Sequence, residues 1–507
     1  MNTHALFLAF LISTALFNAF GQDTRRVTEP KFPPSCTVLT AGLDSQVSTL
    51  AESDENKPDT KRIQQAMDRC QPGQAVELKA GGGHDAFLTG PLELRQGVTL
   101  LIDKGVILFG SRNPRDYDLV PGLCGTITEK KVPYTQGISG HACKPLIGGN
   151  HVAGAAVMGD GIIDGRGGAK MLGRNISWWD LAEQSIQGWP DQYNNWARGV
   201  AENPAAFRPL TAPPPGVIGL QNNPRMMILS GCDNFTLYRI QLRNSPNFHV
   251  SYSGGNGFTA WGVVINTPKG ALNGDGIDIG QPWPEVPSSA TNVTITHCYI
   301  HAGDDNVAIK SPTGYLTSHV TVSHNHFYTG HGMSIGSATS GGLSAIRISD
   351  LTLDGTATGI QLRSSVKLGG PVHDVEYDDV CIRNNRTPIS ITSHAGSFGH
   401  HEVDAAESNK TPTFTDIRFN KVLIQGGGRI SLDGLDAEHH LGVSFHNVVA
   451  EQPEAIRAVA NHADIQLDGS NISVSGDDIK VSGAPSRGTT NACAERFVPF
   501  PIPIGVR

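Results

Sequence analysis

The chain has 507 residues, a formal net charge of −8, 59 glycines and only 17% charged residues. Few charges and many turn residues favour a turn-rich β protein over a helical one, and the negative balance argues against non-specific nucleic-acid binding. A chain this long ordinarily divides into several domains, but a solenoid escapes that limit because each repeat buries its core only against its neighbours.

Residues Ala5 to Phe20 are nearly all apolar, and Ala19 and Gly21 supply small residues ahead of Gln22. The run is short for a membrane span and ends as a cleavage site does. It therefore predicts a secretory signal peptide over residues 1–21, although MNTH carries no Lys or Arg. No later stretch is long and apolar enough to cross a bilayer, so no membrane anchor is expected. Residues 22–507 are expected to form one domain and to be secreted: extracellular, or periplasmic in a Gram-negative source. The eight cysteines show no CxxC or zinc-ligand spacing. Some cysteines of an exported protein are paired. Cys36–Cys70 and Cys124–Cys143 are expected, each closing a local loop, while Cys298 and Cys381 sit in apolar strand-like runs as free thiols.

Asp59 to Met67 reads as a short amphipathic helix, with Asp59 as N-cap and Ile63, Ala66 and Met67 as its apolar face. Ahead of a solenoid, such a helix covers a first coil whose open edge would otherwise aggregate. Short strand-like runs follow, broken by Gly, Asn or Asp. Two excursions interrupt them: 113–144, with Cys124 and Cys143, and 181–224, with Trp189, Tyr193, Trp196 and Pro213-Pro214-Pro215. Both are expected to be long loops, of the kind that shape binding sites on a rigid scaffold.

From Asp233 the chain repeats itself: DNFTLYRIQLRN, NGFTAWGVVIN, TNVTITHCYIH, SHVTVSHNHFY, SAIRISDLTLD, VHDVEYDDVCIR. Each unit has a polar start, an alternating strand, a polar turn and a second apolar strand, at a solenoid-like spacing. No helix-length amphipathic segment intervenes, which removes the α/β barrel and the doubly wound sheet. A β-propeller would place hairpin turns regularly, and NG or DG pairs are not so placed. The fold class expected is all-β: a single-stranded parallel β-helix behind a short capping helix.

Within the repeats, Asn273 to Gly332 carries NGDGIDIG, GDDNVAIK and GHG. Asp275, Asp304, Asp305 and His331 thus fall in successive coils, which stacking would bring onto one wall. Breaking a sugar–sugar bond needs such a wall, with one carboxylic acid and one carboxylate facing across the bond. Adjacent strand residues point to opposite faces. Asp304 and Asp305 can share a face only at a turn or bulge, and Gly303 permits one. Clustered carboxylates repel, so one should hold its proton to higher pH. Asp278 reads equally as a strand-end residue with no part in chemistry. Lys310 is either a partner for an acidic substrate or a solvated lysine, and His249 either a substrate ligand or a satisfied strand histidine.

The linked order NGDG, GDDNVAIKS, GHGMSIGS resembles glycoside hydrolase family 28, the polygalacturonases, most closely the bacterial secreted members. FLTGPLEL, GSRNPRDY, GDGIIDGRGG with Trp178-Trp179, and NSPNFHV extend the resemblance over most of the chain. The resemblance implies a right-handed β-helix that hydrolyses α-1,4-linked galacturonan with inversion and without a metal or other cofactor. It implies Asp304 as general acid, Asp275 and Asp305 as the residues that position and activate water, and His331 as support for the acid. It places Gln361 and Arg363 at the substrate's carboxylate, with Asn273, His249 and Lys310 as further candidate substrate ligands. The family's usual NTD is here Asn273-Gly274-Asp275, and its Arg-Ile-Lys is Gln361-Leu362-Arg363, which keeps one cation and loses the other. That loss weakens bidentate recognition of a uronate. It leaves open a substituted or mixed pectic chain such as rhamnogalacturonan or xylogalacturonan, or a non-catalytic polysaccharide-binding β-helix. The partner expected is a pectic polysaccharide, with no nucleic acid, and the protein is expected to be a monomer.

Overall fold

The computed structural model describes residues 22–46, 49–129, 142–187, 219–281, 288–395 and 410–501. The expected signal peptide, and Trp189, Tyr193, Trp196 and the triple proline, lie outside these. Among the described residues, every ladder between named strands is parallel except one short antiparallel pair, Ile127–Glu129 with Gly219–Gln221. The parallel strands wind into a right-handed β-helix, the hand that a strand's own twist imposes on parallel crossovers.

The helix has three sheets. The first stacks Met227–Ser230, Val250–Tyr252, Ile277–Ile279, Val307–Ile309, Met333–Gly336, Thr358–Arg363, Thr387–Thr392 and Gly428–Asp433. The second begins at Ser35–Thr40 on Ala75–Lys79, and the third at Ala86–Thr89 on Ile107–Gly110. From Thr317–Phe327 onward, single long strands run through the corner between the second and third sheets. The bend falls on His324, Asp350 and Asp379, all in the left-handed region where short polar side chains cost least.

The core follows from strand alternation. Val250, Ile277, Val307, Met333, Ile360, Ile389 and Ile430 form one inward column, each 0% exposed. Coils stack about 4.8 Å apart, so like side chains in a column touch along its length. Where a corner breaks the ladder, buried amides replace its hydrogen bonds: Asn325 accepts from the Cys298 N–H and donates to the Ile295 carbonyl.

The capping helix spans Thr60–Arg69, with Ile63, Ala66 and Met67 buried in the core of the first coils. Asp59 stands at the N-cap, but its carboxylate does not bond the helix's own N–H groups. It pairs instead with Arg62 and accepts from the Leu88 N–H, tying the helix to the solenoid. The region expected as loop from residue 181 is entered through a second helix, Trp178–Gln187. Its start was legible: Ser177 and Asp180 form a reciprocal capping pair, each side chain accepting from the other's backbone N–H. Trp178 is fully buried beneath it.

Both expected disulfides are present, and Cys298 is free and buried. Cys381 is not free: it pairs with Cys493, 112 residues on. Its apolar strand hid a partner in the C-terminal segment, which no local spacing connects to it. That segment runs back along the third sheet. Arg496 pairs with Asp350 and Asp379, Tyr328 donates to the Val498 carbonyl, and Phe500 packs on Tyr328 and His301. A double Cys381→Ser, Cys493→Ser variant should lose about 2–4 kcal/mol of stability. Thermal unfolding should begin several degrees lower while room-temperature turnover is kept; an unchanged unfolding midpoint would show that the ion pairs alone hold the segment.

Candidate active site

Register alone brings the acidic groups together. Ile277, Val307 and Met333 pair in successive coils, and two residues ahead of them stand Asp275, Asp305 and His331. One residue past them, also outward, stand Asp278, Ala308 and Ser334, with Gln361 on the next coil. Three residues past Val307 and Ile360 stand Lys310 and Arg363. One outer wall of the first sheet therefore carries every acid and cation that the motifs singled out.

The glycines make the wall possible. Gly303 is not left-handed; it is required because a Cβ there would lie 2.3 Å from the Ala271 carbonyl oxygen. Gly332 has a φ of 82° and would meet the Thr358 and Gly359 carbonyls. Asp304 and Asp305 sit in the turn ahead of Val307–Ile309, and the Asp304 carboxylate accepts from the Asp305 N–H. Both then reach one imidazole: His331 Nδ1 lies 2.8 Å from Asp304 Oδ1 and 3.9 Å from Asp305 Oδ1.

Asp305 is buried and well held. Arg363 donates to one oxygen at 2.9 Å, and Ser334 and Gln361 donate to the other at 2.7 and 2.8 Å. Gln361 also donates to the Ser334 hydroxyl and the His331 carbonyl. Its amide is thus directed at the carboxylate rather than outward. Lys310 is no solvated lysine: its ammonium pairs with the buried Asp278 at 2.6 Å and lies over the Phe248 ring.

The charges sort into distinct states. Burial pushes the Asp304 pKa up, but His331, with Arg363 and Lys310 behind it, outweighs burial and brings it down to about 2. Burial works against charging His331, yet Asp304 and then Asp305 overcome it, and the imidazole is raised above its ordinary value. Asp275 is the opposite case. Burial, then the charges of Asp278 and Asp304, raise it well above the carboxylate range, and Lys310 only partly offsets them. Its Oδ1 is buried without a hydrogen-bond partner among the described residues. Asp275 is therefore pushed toward its neutral form, while Asp304 and His331 favour a carboxylate–imidazolium pair. The electrostatic cost of Asp275 is testable. Asp275→Asn should raise the thermal midpoint at neutral pH, because the folded protein disfavours the carboxylate that the unfolded chain forms freely, while removing activity. A lowered midpoint would mean that the charge is compensated.

Two expected substrate ligands are placed differently. His249 is 0% exposed, with Nδ1 donating to the Asp275 carbonyl at 2.8 Å and the Ser245 N–H approaching Nε2. Burial lowers its pKa to about 4, so it is a neutral strut under Asp275 and offers no surface to a ligand. Asn273 accepts from Gln221, joining the acid wall to the strand Gly219–Gln221. Sequence reasoning passed over Ser334 and Phe248, and set Asp278 aside. Only the stacking of coils reveals them, because their partners lie in other coils. Asp304, Asp305 and His331 also present ligand atoms within 4.8 Å of one another. Arg363 beside them already supplies the neutralising charge, and the donor set gives a metal no advantage.

Comparison with known proteins identifies the lineage. Residues 217–465 match the profile of the glycosyl hydrolases family 28. The chain is 36% identical to a protein named endo-polygalacturonase from Pectobacterium carotovorum subsp. carotovorum, over 86% of this chain and 92% of that one. It is 32% identical to a polygalacturonase from Ralstonia nicotianae, over 94% and 92% of the two chains. The solved structure of a polygalacturonase from Erwinia carotovora ssp. carotovora superposes with a TM-score of 0.65 at 32% identity, covering 93% of this chain and 99% of that one. Sequence, fold and the column of acids agree: the chain is a member of glycosyl hydrolases family 28.

Proposed function

We propose that this chain hydrolyses the α-1,4-linked galacturonan backbone of pectin by acid/base catalysis, and that Asp304 is the acid. The observation that carries the reading is the pairing of His331 Nδ1 with Asp304 Oδ1 at 2.8 Å, set against the buried Asp275 and the firmly held Asp305. As the glycosidic bond polarises, His331 returns its proton to Asp304, which delivers it to the leaving oxygen. Asp305, with Asp275 once ionised, takes a proton from water as the water oxygen bonds to the anomeric carbon. Inversion follows from the family resemblance. Arg363 and Lys310 supply positive charge beside the acids, suited to a uronate carboxylate. The names of the relatives support galacturonan as substrate.

The test is release of reducing ends from polygalacturonate by the wild type and Asp304→Asn. Equal release would overturn the reading; an unsaturated product would point to a lyase, and binding without turnover to a carbohydrate-binding β-helix. Gln361 favours a second reading for specificity, since its neutral amide stands in the recognition motif and engages Asp305. Gln361→Arg should lower the KM for polygalacturonate by about tenfold through one added charge-assisted hydrogen bond. An unchanged KM would remove this position from substrate recognition.

We also read residues 22–507 as one exported catalytic domain. Three disulfides support an oxidising compartment, and no helix among the described residues is long and apolar enough to cross a membrane. N-terminal sequencing of the exported protein should begin at Gln22, and light scattering should give the mass of a monomer.

A further inference from the structure

Far along the solenoid from the acid wall, a second cluster of chemistry-bearing side chains has no part in hydrolysis. Leu441 pairs with Ala463, and Ala463 with Ile479, in the last three coils of the second sheet. The residue ahead of each is His440, His462 and Asp478, so three coils contribute one side chain each to a single column. His440 Nε2 and His462 Nδ1 both point at Asp478 Oδ2, at 3.0 and 2.8 Å. One ligand atom from each residue lies within 4.8 Å of the other two.

We propose that His440, His462 and Asp478 form a site for a divalent transition-metal ion of the zinc class, with Asp464 as its outer carboxylate. Two imidazoles and one carboxylate make a donor set of borderline softness, which suits zinc, nickel or cobalt and not calcium or magnesium. Metal–ligand bonds of about 2.0–2.2 Å place tetrahedral donors roughly 3.3 Å apart, so small side-chain rotations admit an ion between these three. The second nitrogen of His440 decides between a metal site and a mere polar corner. Its Nδ1 donates to Asp464 Oδ1 at 2.8 Å, the outer carboxylate–histidine arrangement that orients a metal-bound imidazole. A left-handed corner accounts for His462 and Asp478, whose φ values are 46° and 50°. It does not account for His440, which has no such backbone and still lies with both ring nitrogens against carboxylates. Lys480 balances Asp464, at 3.4 Å, so the charge of Asp478 is left for the ion.

The position gives the ion a task. Val474–Ser482 is the last strand of the ladder and is exposed along most of its length. Ligands from three successive coils would fasten that edge strand to the two coils beneath it, where a solenoid is most open to fraying.

The test is calorimetric titration of the whole protein with zinc chloride, paralleled by cobalt chloride and visible absorption. One equivalent should bind at micromolar concentration or below, cobalt should give the intense bands of tetrahedral coordination, and the thermal midpoint should rise until a chelator is added. His440→Ala with His462→Ala should abolish all three responses while retaining turnover and circular dichroism. Asp464→Asn should weaken zinc binding about 10–100-fold. Zinc bound equally by wild type and the double variant, or no saturable binding below millimolar concentration, would overturn the site and leave a hydrogen-bonded corner. Neither outcome bears on the hydrolytic reading, because none of these residues lies on the first-sheet wall.

Discussion

Asp304→Asn is expected to lower kcat on polygalacturonate by about 10²–10⁴-fold, with KM and the unfolding midpoint little changed. The amide keeps the shape of the carboxyl and can still accept from the Asp305 N–H and meet His331, so the turn ahead of Val307–Ile309 has no reason to rearrange. It cannot carry the proton. Asp304 is the member of the cluster that is part-exposed, at 23%, while Asp305 is 1% exposed and committed to Arg363, Ser334 and Gln361. A leaving oxygen approaching from solvent therefore finds Asp304 first. Steady-state kinetics decide the matter: a variant retaining a tenth or more of wild-type kcat would move the acid elsewhere, and Asp275, whose pKa is raised by burial and its acidic neighbours, would be the candidate.

His331→Gln is expected to move the alkaline limb of the kcat–pH profile acid-ward by about two pH units, from the range of a raised histidine to that of a buried carboxyl. In the wild type, the imidazolium holds Asp304 down to about 2, and the pair loses the imidazolium proton only as pH rises through the raised His331 value. Without the imidazole, burial is the largest remaining influence on Asp304, and its pKa rises. The acid is then protonated only at low pH, so the variant should recover part of its activity there. Stability should follow the same logic. The depressed Asp304 contributes above its unfolded value and loses that contribution as pH falls toward about 2. The raised His331 contributes below its unfolded value and loses that contribution as pH rises through the folded one. The pair thus stabilises most between the two unfolded values, about pH 4 to 6.5. In that window the variant should lose most stability. An alkaline limb that stays in place would separate His331 from the acid.

Parts of the site were legible because they obey strand periodicity and turn chemistry. Two glycines around His331 mark a turn whose Cβ positions are filled by neighbouring carbonyls, and GDD at a bend announces two carboxylates on one side. Other parts could not be read. His249 looks like a ligand until burial places it under Asp275, and Gln361 looks like a lost cation until its amide is found on Asp305. Cys381 looks like a core thiol until the chain returns from Cys493. In each case the deciding partner lies in another coil or a distant segment, and nothing in the local sequence encodes it.

By itself, the sequence determined the β-helix, its capping helix, two of its disulfides and the set of acids in successive coils. These follow from alternation, turn residues and repeat length, which act over a few residues. The tertiary structure decided which acid has its pKa raised and which has it lowered, which cation is spent on which carboxylate, and which histidine is a strut. Those outcomes depend on burial and on charges a few ångströms apart, and such distances exist only after the coils have stacked.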